Sequence, residues 1–201
     1  MSFVFESLEG RRLFSVNAAI TTLHTDLATV RADDKAIDVT DRTNVDIIGR
    51  ELINSDELRG ATLRAAALVI RVGAREEVTL TGRTNVLIAK INLDVARLNA
   101  VANQLTLHPS NTRLQTREAD DETKLTDDAT SAETVLDDDS TTLSDDTTTN
   151  LNALAADQSS DTTLATDVSN FETAQGTDIN TYQADVNTAF TTDVSAVVAT
   201  P

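Results

Sequence analysis

The chain contains no cysteine, which excludes disulfides, thiolate metal sites and a cysteine nucleophile. It has no tryptophan, one tyrosine and five phenylalanines in 201 residues. Large aromatic side chains usually dominate core energetics, so a thick globular core is not expected. A thin seam of Leu, Ile, Val and Ala between helices suits the composition better. Its six glycines are scattered, and neither GxxxxGK[ST] nor GxGxxG occurs, so no phosphate-cradling loop is present. No apolar run reaches the roughly 18 residues needed to span a membrane. The most apolar stretch, residues 65–72, is far shorter and leads into a region rich in Arg and Glu.

Positive charge is also missing from a large part of the chain. The last base is Lys124. The first 124 residues net −2 and the remaining 77 net −15, which together make the formal −17. A tail of that sign repels phosphate backbones, so nucleic acid is not an expected partner. It favours solubility and attracts divalent cations or basic partners weakly. Charge runs most often mark a solvated face.

What is present is helical periodicity. Ile20, Leu23, Leu27 and Val30 recur at three- and four-residue steps, followed by Ile37, Val45, Ile48 and Leu52. Asp34 and Asp41 interrupt this first seam. Asn54 followed by Glu57 has the spacing of a capping box opening a second helix. From Leu63 to Leu105 a stripe holds near-heptad spacing through Ala67, Ile70, Ala74, Val78, Ile88, Ile91, Val95 and Leu98, as in bundles and coiled coils. Residues 68–81 are β-branched and partly alternating, with Gly73 and Gly82 as punctuation, so a hairpin competes there. Continuity with the flanking stripe favours helix. His108-Pro109-Ser110-Asn111 is a break, because a proline disfavours helix in the residue before it, and Ser110 or Asn111 can cap the next helix.

Beyond the break the chain is rich in Asp, Thr, Ser and Asn, which are mediocre helix formers. Apolar positions stay ordered all the same. Leu143 and Leu154 are eleven apart, as are Val168, Ile179 and Phe190, and this spacing suits a long helix of nearly 3.67 residues per turn. The stripe is thinnest over 120–150, where fraying is expected, and a turn is expected at 157–161. These patterns predict an all-α fold: an elongated antiparallel helical bundle or coiled coil of three to four long helices. The basic row Arg64, Arg71, Arg75, Arg83, Lys90 and Arg97 is placed to face the acidic C-terminal helix. The expected layout is a leader over 1–16, a first helical hairpin over 17–107 and an acidic Thr/Asp-rich helical segment over 111–201.

Catalytic constellations are hard to assemble from these residues. His24 and His108 are the only histidines. One falls beside the helical stripe and the other before a proline, and neither is placed as a base for a nucleophile. Neither has the preceding Glu of a di-metal carboxylate bundle. Paired carboxylates abound, but glycosidase chemistry needs two held across a cleft. Asp137, Asp138, Asp139 and Ser140 with Asp145 and Asp146 are dense in hard oxygen ligands. Counted as a calcium loop from Asp137, the sixth position is Thr142 instead of Gly and the twelfth is Thr148 instead of Glu. No catalytic, cofactor-binding or metal-ligating residue is assigned, and no cofactor is expected.

The N-terminal segment reads Phe5, Glu6, Leu8, Glu9, Arg11, Arg12, Leu13, Phe14, Ser15. It lacks the charge-then-apolar layout of a standard secretory signal. It resembles the N-terminal sorting motif of planctomycete exported proteins of the LEPR-XLL type. Phe14 stands where a second Leu is usual, and Val16 where Ala is usual. The resemblance covers about a dozen residues and implies export to the exterior or cell surface, not an activity. Taken together, the sequence reads as a non-catalytic exported structural or interaction protein of the cell envelope or exterior. It would act through helix packing and an acidic surface, with itself or another envelope protein as partner. The alternative is an acidic module, residues 118–161, that binds calcium-like cations or a basic partner.

Overall fold

A computed structural model describes the secondary structure of residues 8–54, 61–157 and 162–199, and the side chains of 16–52, 73–156 and 162–199. Four long helices pack as an antiparallel bundle: α1 (Leu8–Asn54), α2 (Ala61–Leu107), α3 (Thr112–Asp157) and α4 (Thr162–Asn187). A six-residue π segment, Thr188–Asp193, comes after α4 and leads into a short α5 (Val194–Val198). No strand occurs among the described residues.

The ambiguous stretch 68–81 is helical and lies within α2. Gly73 and Gly82 do not punctuate it, since no glycine among the described residues has positive φ. The break falls as expected between Leu107 and Thr112. Asn111 caps α3, its Oδ1 accepting from the backbone N–H of Arg113 at 3.1 Å and of Leu114 at 3.4 Å. The described part of α1 ends at Asn54 and that of α2 begins at Ala61, so the capping box expected at Asn54 falls outside the described side chains. Glu57 lies outside the described residues, as does nearly all of the turn expected at 157–161.

Residues 120–150, expected to fray, are continuous helix. The reason lies in which residues are buried. Leu125, Leu136 and Thr147 are buried eleven apart, and so are Ala129, Ser140 and Leu151, and Ala132, Leu143 and Leu154. The stripe is complete once Ser140, Thr147 and two alanines are counted in it. On α4 and beyond, Leu164, Gln175, Val186 and Val197 repeat at the same interval, as do Phe171, Tyr182 and Asp193. An eleven-residue repeat keeps one face inward at 3.67 residues per turn.

The chain divides into two compact units, each built from segments of the long helices. Unit 1 comprises Met1–Val30, Asn85–Val135 and Asp185–Pro201, and unit 2 comprises Arg31–Thr84 and Leu136–Ala184. In unit 1 the buried apolar positions are Val16 through Val30 on α1, Ile88 through Leu105 on α2, Leu125, Ala129 and Ala132 on α3, and Val186, Ala189, Phe190, Val194 and Val197 at the C-terminal end. In unit 2, Ile48, Leu52, Leu151, Leu154, Leu164, Val168 and Phe171 form one cluster from α1, α3 and α4. Each fully buried Leu, Ile or Phe contributes about 2 kcal/mol, so the seam holds the helices together despite its narrowness.

Candidate functional site

Polar groups inside unit 2 are the chemically richest feature of the fold. Asp41 sits at a core position of α1 and is only 5% exposed. It occupies the apolar stripe because its carboxylate is met there by a donor. The Gln175 Nε2 on α4 lies 2.9 Å from both Asp41 oxygens and 3.2 Å from Thr147 Oγ1 on α3. Beside it on α1, the Thr40 hydroxyl donates to Asp178 of α4. Asp34, also 5% exposed, accepts from Thr81 Oγ1 of α2 at 3.2 Å. Thr84 of α2 and Tyr182 of α4 share a buried hydroxyl–hydroxyl bond of 2.8 Å. Gln183 donates to Ser140 Oγ of α3 at 2.9 Å. Each of these pairs joins two different helices, so an unsatisfied buried group would result from any slip between them.

Burial pushes the Asp41 carboxyl up to about 7; the Gln175 bond works the other way, and the charges of Asp178 and Asp38 add to the rise. Burial likewise raises Asp34 to about 6, against the Thr81 bond and with the charge of Asp38. Glu76 rises to about 7 through burial and then through Asp146 beside it. Burial also pushes the Tyr182 phenol up. Perturbed carboxyls of this kind mark functional sites in many proteins, but paired structural groups shift in the same way.

A small cleft lies beside Asp41. Asp41, Glu77 and Thr147 line it with Arg42, Val45 and Phe171, and it measures about 50 Å³. On this measure a water needs about 10–15 Å³, whereas pockets for small molecules run to roughly 300–1,000 Å³. The cleft is therefore small, with room for a few waters beside Asp41.

Unit 1 carries a second arrangement. Asp94 of α2, 2% exposed, accepts from Lys124 Nζ of α3 at 2.7 and 2.8 Å. Lys124 also donates to Asp128 at 2.5 Å, and Lys90 of α2 reaches Asp128 at 2.9 Å. Burial works to raise Asp128, but the hydrogen bonds from Lys124 and Lys90 outweigh it and hold the carboxyl at about 2. At the C-terminal end Asp193, in the π segment, is raised to about 6 by burial and by Asp26 of α1.

The residues singled out from sequence are scattered along the helices. Of the sorting motif, Phe5 and Glu6 lie outside the described residues, while the backbone from Leu8 through Ser15 forms the first two turns of α1. The helix continues unbroken past Val16, which is 7% exposed. His24 and His108 are both exposed. Of the basic row on α2, Arg83 meets Asp139 and Lys90 meets Asp128, both on α3, whereas Arg97 pairs with Asp94 of its own helix. Arg64 and Arg71 lie outside the described side chains. Asp137, Asp138 and Asp139 are consecutive on α3 and fan out around it, since neighbours on a helix do not face the same way. Among the described residues no group of three or more His, Asp or Glu side chains converges as a metal site. The layers built on Gln175, Thr147, Thr81 and Tyr182 escaped sequence reading. Their signal is a polar residue in phase with the core stripe on more than one helix.

No protein-family model, curated protein or solved structure matches the chain.

Proposed function

We propose that this chain is a non-catalytic structural or interaction protein of the cell envelope or exterior, exported through its N-terminal segment and acting through helix packing and an acidic outer surface. The observation that supports the reading most is the use made of the reactive side chains. Asp34, Asp41, Asp94, Gln175 and Tyr182 are buried and bonded to partners on neighbouring helices. Such contacts fix which helices pair and in what register, at little net gain in stability. The exposed positions of α3 are mostly Thr, with Asp120, Asp127, Asp138 and Asp145 among them, which gives a polar, hydrated exterior with acidic positions. The resemblance at Phe5–Ser15 supplies the destination.

The test is the location of the full chain in its source cells, compared with a variant in which Arg11 and Arg12 are both replaced by Ala. The full chain is expected outside the cytoplasm and the variant inside it. A full chain that stays in the cytoplasm overturns the export reading.

A further inference from the structure

The π segment Thr188–Asp193 changes what the chain buries after α4. Along α4 burial comes one position at a time, at Phe171, Gln175, Ile179, Tyr182 and Val186. In and just after the π segment it comes in neighbouring pairs, Ala189 with Phe190 and Asp193 with Val194. An i→i+5 turn holds one residue more than an α turn, so an extra position faces inward, and such turns are frequent at functional sites. One result is Asp193, an acid in the core of unit 1 that is only 7% exposed.

We propose that Asp193 and Asp26 hold one proton between them as a latch, which fastens residues 188–198 to α1 in acid and releases them near neutral pH. Carboxyls hold the segment on two sides, in different ways. On the outer side Glu133 of α3 accepts from Asn187 Nδ2 at 2.6 Å and from Thr191 Oγ1 at 2.5 Å. That contact is complete, since each oxygen has its own donor. On the inner side the Asp193 carboxyl lies within hydrogen-bonding reach of the half-buried Asp26 carboxyl. Two ionised carboxylates have no donor between them, and the buried Asp193 Oδ2 accepts no hydrogen bond among the described residues. One proton completes the contact: Asp193, as the acid, donates its O–H to the Asp26 carboxylate.

No neighbouring element offers this pair a base. Burial and then Asp26 of α1 are the causes that raise Asp193 from 3.8 to about 6. Lys90 of α2 and Lys124 of α3 are taken up by Asp128 and Asp94, and Glu133 of α3 by Asn187 and Thr191. As pH rises from about 4 to about 6 the proton leaves for solvent, and two carboxylates are left facing each other. Parting relieves them, and the π turn is the place where the helix yields. Release uncovers Phe190, Val194 and Val197, buried in the closed form. Glu76 and Asp146 make a similar contact between α2 and α3, but α-helix runs on unbroken to either side of it, with no π turn to give way.

The test is amide hydrogen exchange of the full chain at about pH 5 and about pH 7, read as protection factors so that the intrinsic pH dependence of exchange cancels. Protection over 190–198 should fall about tenfold between the two, the factor expected when a carboxyl at about 6 in the closed form returns to 3.8 in the open one. At the higher pH this stretch should be less protected than Ile91 and Leu98 of the same unit, as local opening requires. In Asp193→Asn a side-chain N–H stands in for the proton as donor to Asp26 at either pH, so the drop should vanish with helical circular dichroism retained. Asp26→Asn should do the same. A stretch equally protected at both pH values, or an Asp193→Asn variant that keeps the full drop, overturns the proposal. Protection equal to that of Ile91 and Leu98 overturns it too, because the stretch then opens only with the whole unit. A drop that millimolar calcium abolishes would assign the pair to a cation instead of a proton. None of these outcomes bears on export, which the location of the full chain tests separately.

Discussion

At the scale of single residues, Asp41 is the position where chemistry and fold meet. From the sequence, Asp34 and Asp41 read as defects in the α1 stripe, and a single stripe gives no way to see otherwise. Their meaning lies on other helices, in Thr81, Thr147 and Gln175, which stand in phase with the apolar positions of α2, α3 and α4. Removing the donor should therefore cost more than removing the acid. Gln175→Leu keeps the volume but leaves a buried carboxylate without its partner, at a cost of about 2 kcal/mol or more, readable as a shift of the denaturation midpoint. Glycine gives the opposite case. At Gly82 and Gly176 an added Cβ meets nothing within 4 Å, and both have ordinary negative φ. Gly82→Ala and Gly176→Ala should each stabilise by about 0.5–1 kcal/mol, and a loss of stability in either would show that the helix is strained there.

At the scale of elements, α3 shows how far a weak sequence can be carried by a good pattern. Its Asp and Thr residues are poor helix formers, and many of its threonines turn their hydroxyls back onto the carbonyl four residues earlier, as Thr123, Thr126, Thr130 and Thr134 do at 2.9–3.0 Å. That local bonding does little for the helix and tends to bend it. What keeps α3 helical is the buried eleven-residue repeat from Leu125 to Leu154. The long helices, the α2–α3 break and the Asn111 cap were legible, because periodicity and proline act locally. The order of 120–150 was not legible, because Ser140 and Thr147 are core residues only when Gln183 and Gln175 face them. A peptide of residues 112–157 should accordingly show little helix by circular dichroism, since isolated helices depend on packing of their apolar face. Asn111→Ala should cost about 1 kcal/mol and speed hydrogen exchange at the Arg113 and Leu114 amides.

For the whole molecule, the buried carboxyls make stability depend on pH in a definite direction. Asp34 at about 6, Asp41 at about 7, Glu76 at about 7 and Asp193 at about 6 all lie above their ordinary values of 3.8 or 4.5. The folded chain thus holds protons that the unfolded chain releases, and stability falls as pH rises from about 4 to about 7. Asp128, held at about 2 against 3.8, acts in the opposite sense and withdraws its contribution as pH falls below about 4. Maximum stability is expected near about pH 4, where the two windows meet. Millimolar calcium should not change the unfolding temperature, because the acidic residues of α3 fan outward and do not converge. Function was the least legible property, since the described buried polar side chains bond from helix to helix. If these buried polar groups serve helix pairing, thermal unfolding of the full chain and of Asp41→Asn between about pH 5 and about pH 8 should reveal it. The melting temperature should drop with rising pH in the full chain and drop less in the variant. A full chain whose melting temperature is flat or rises over that range, or a variant with the same slope, would contradict the pairing role.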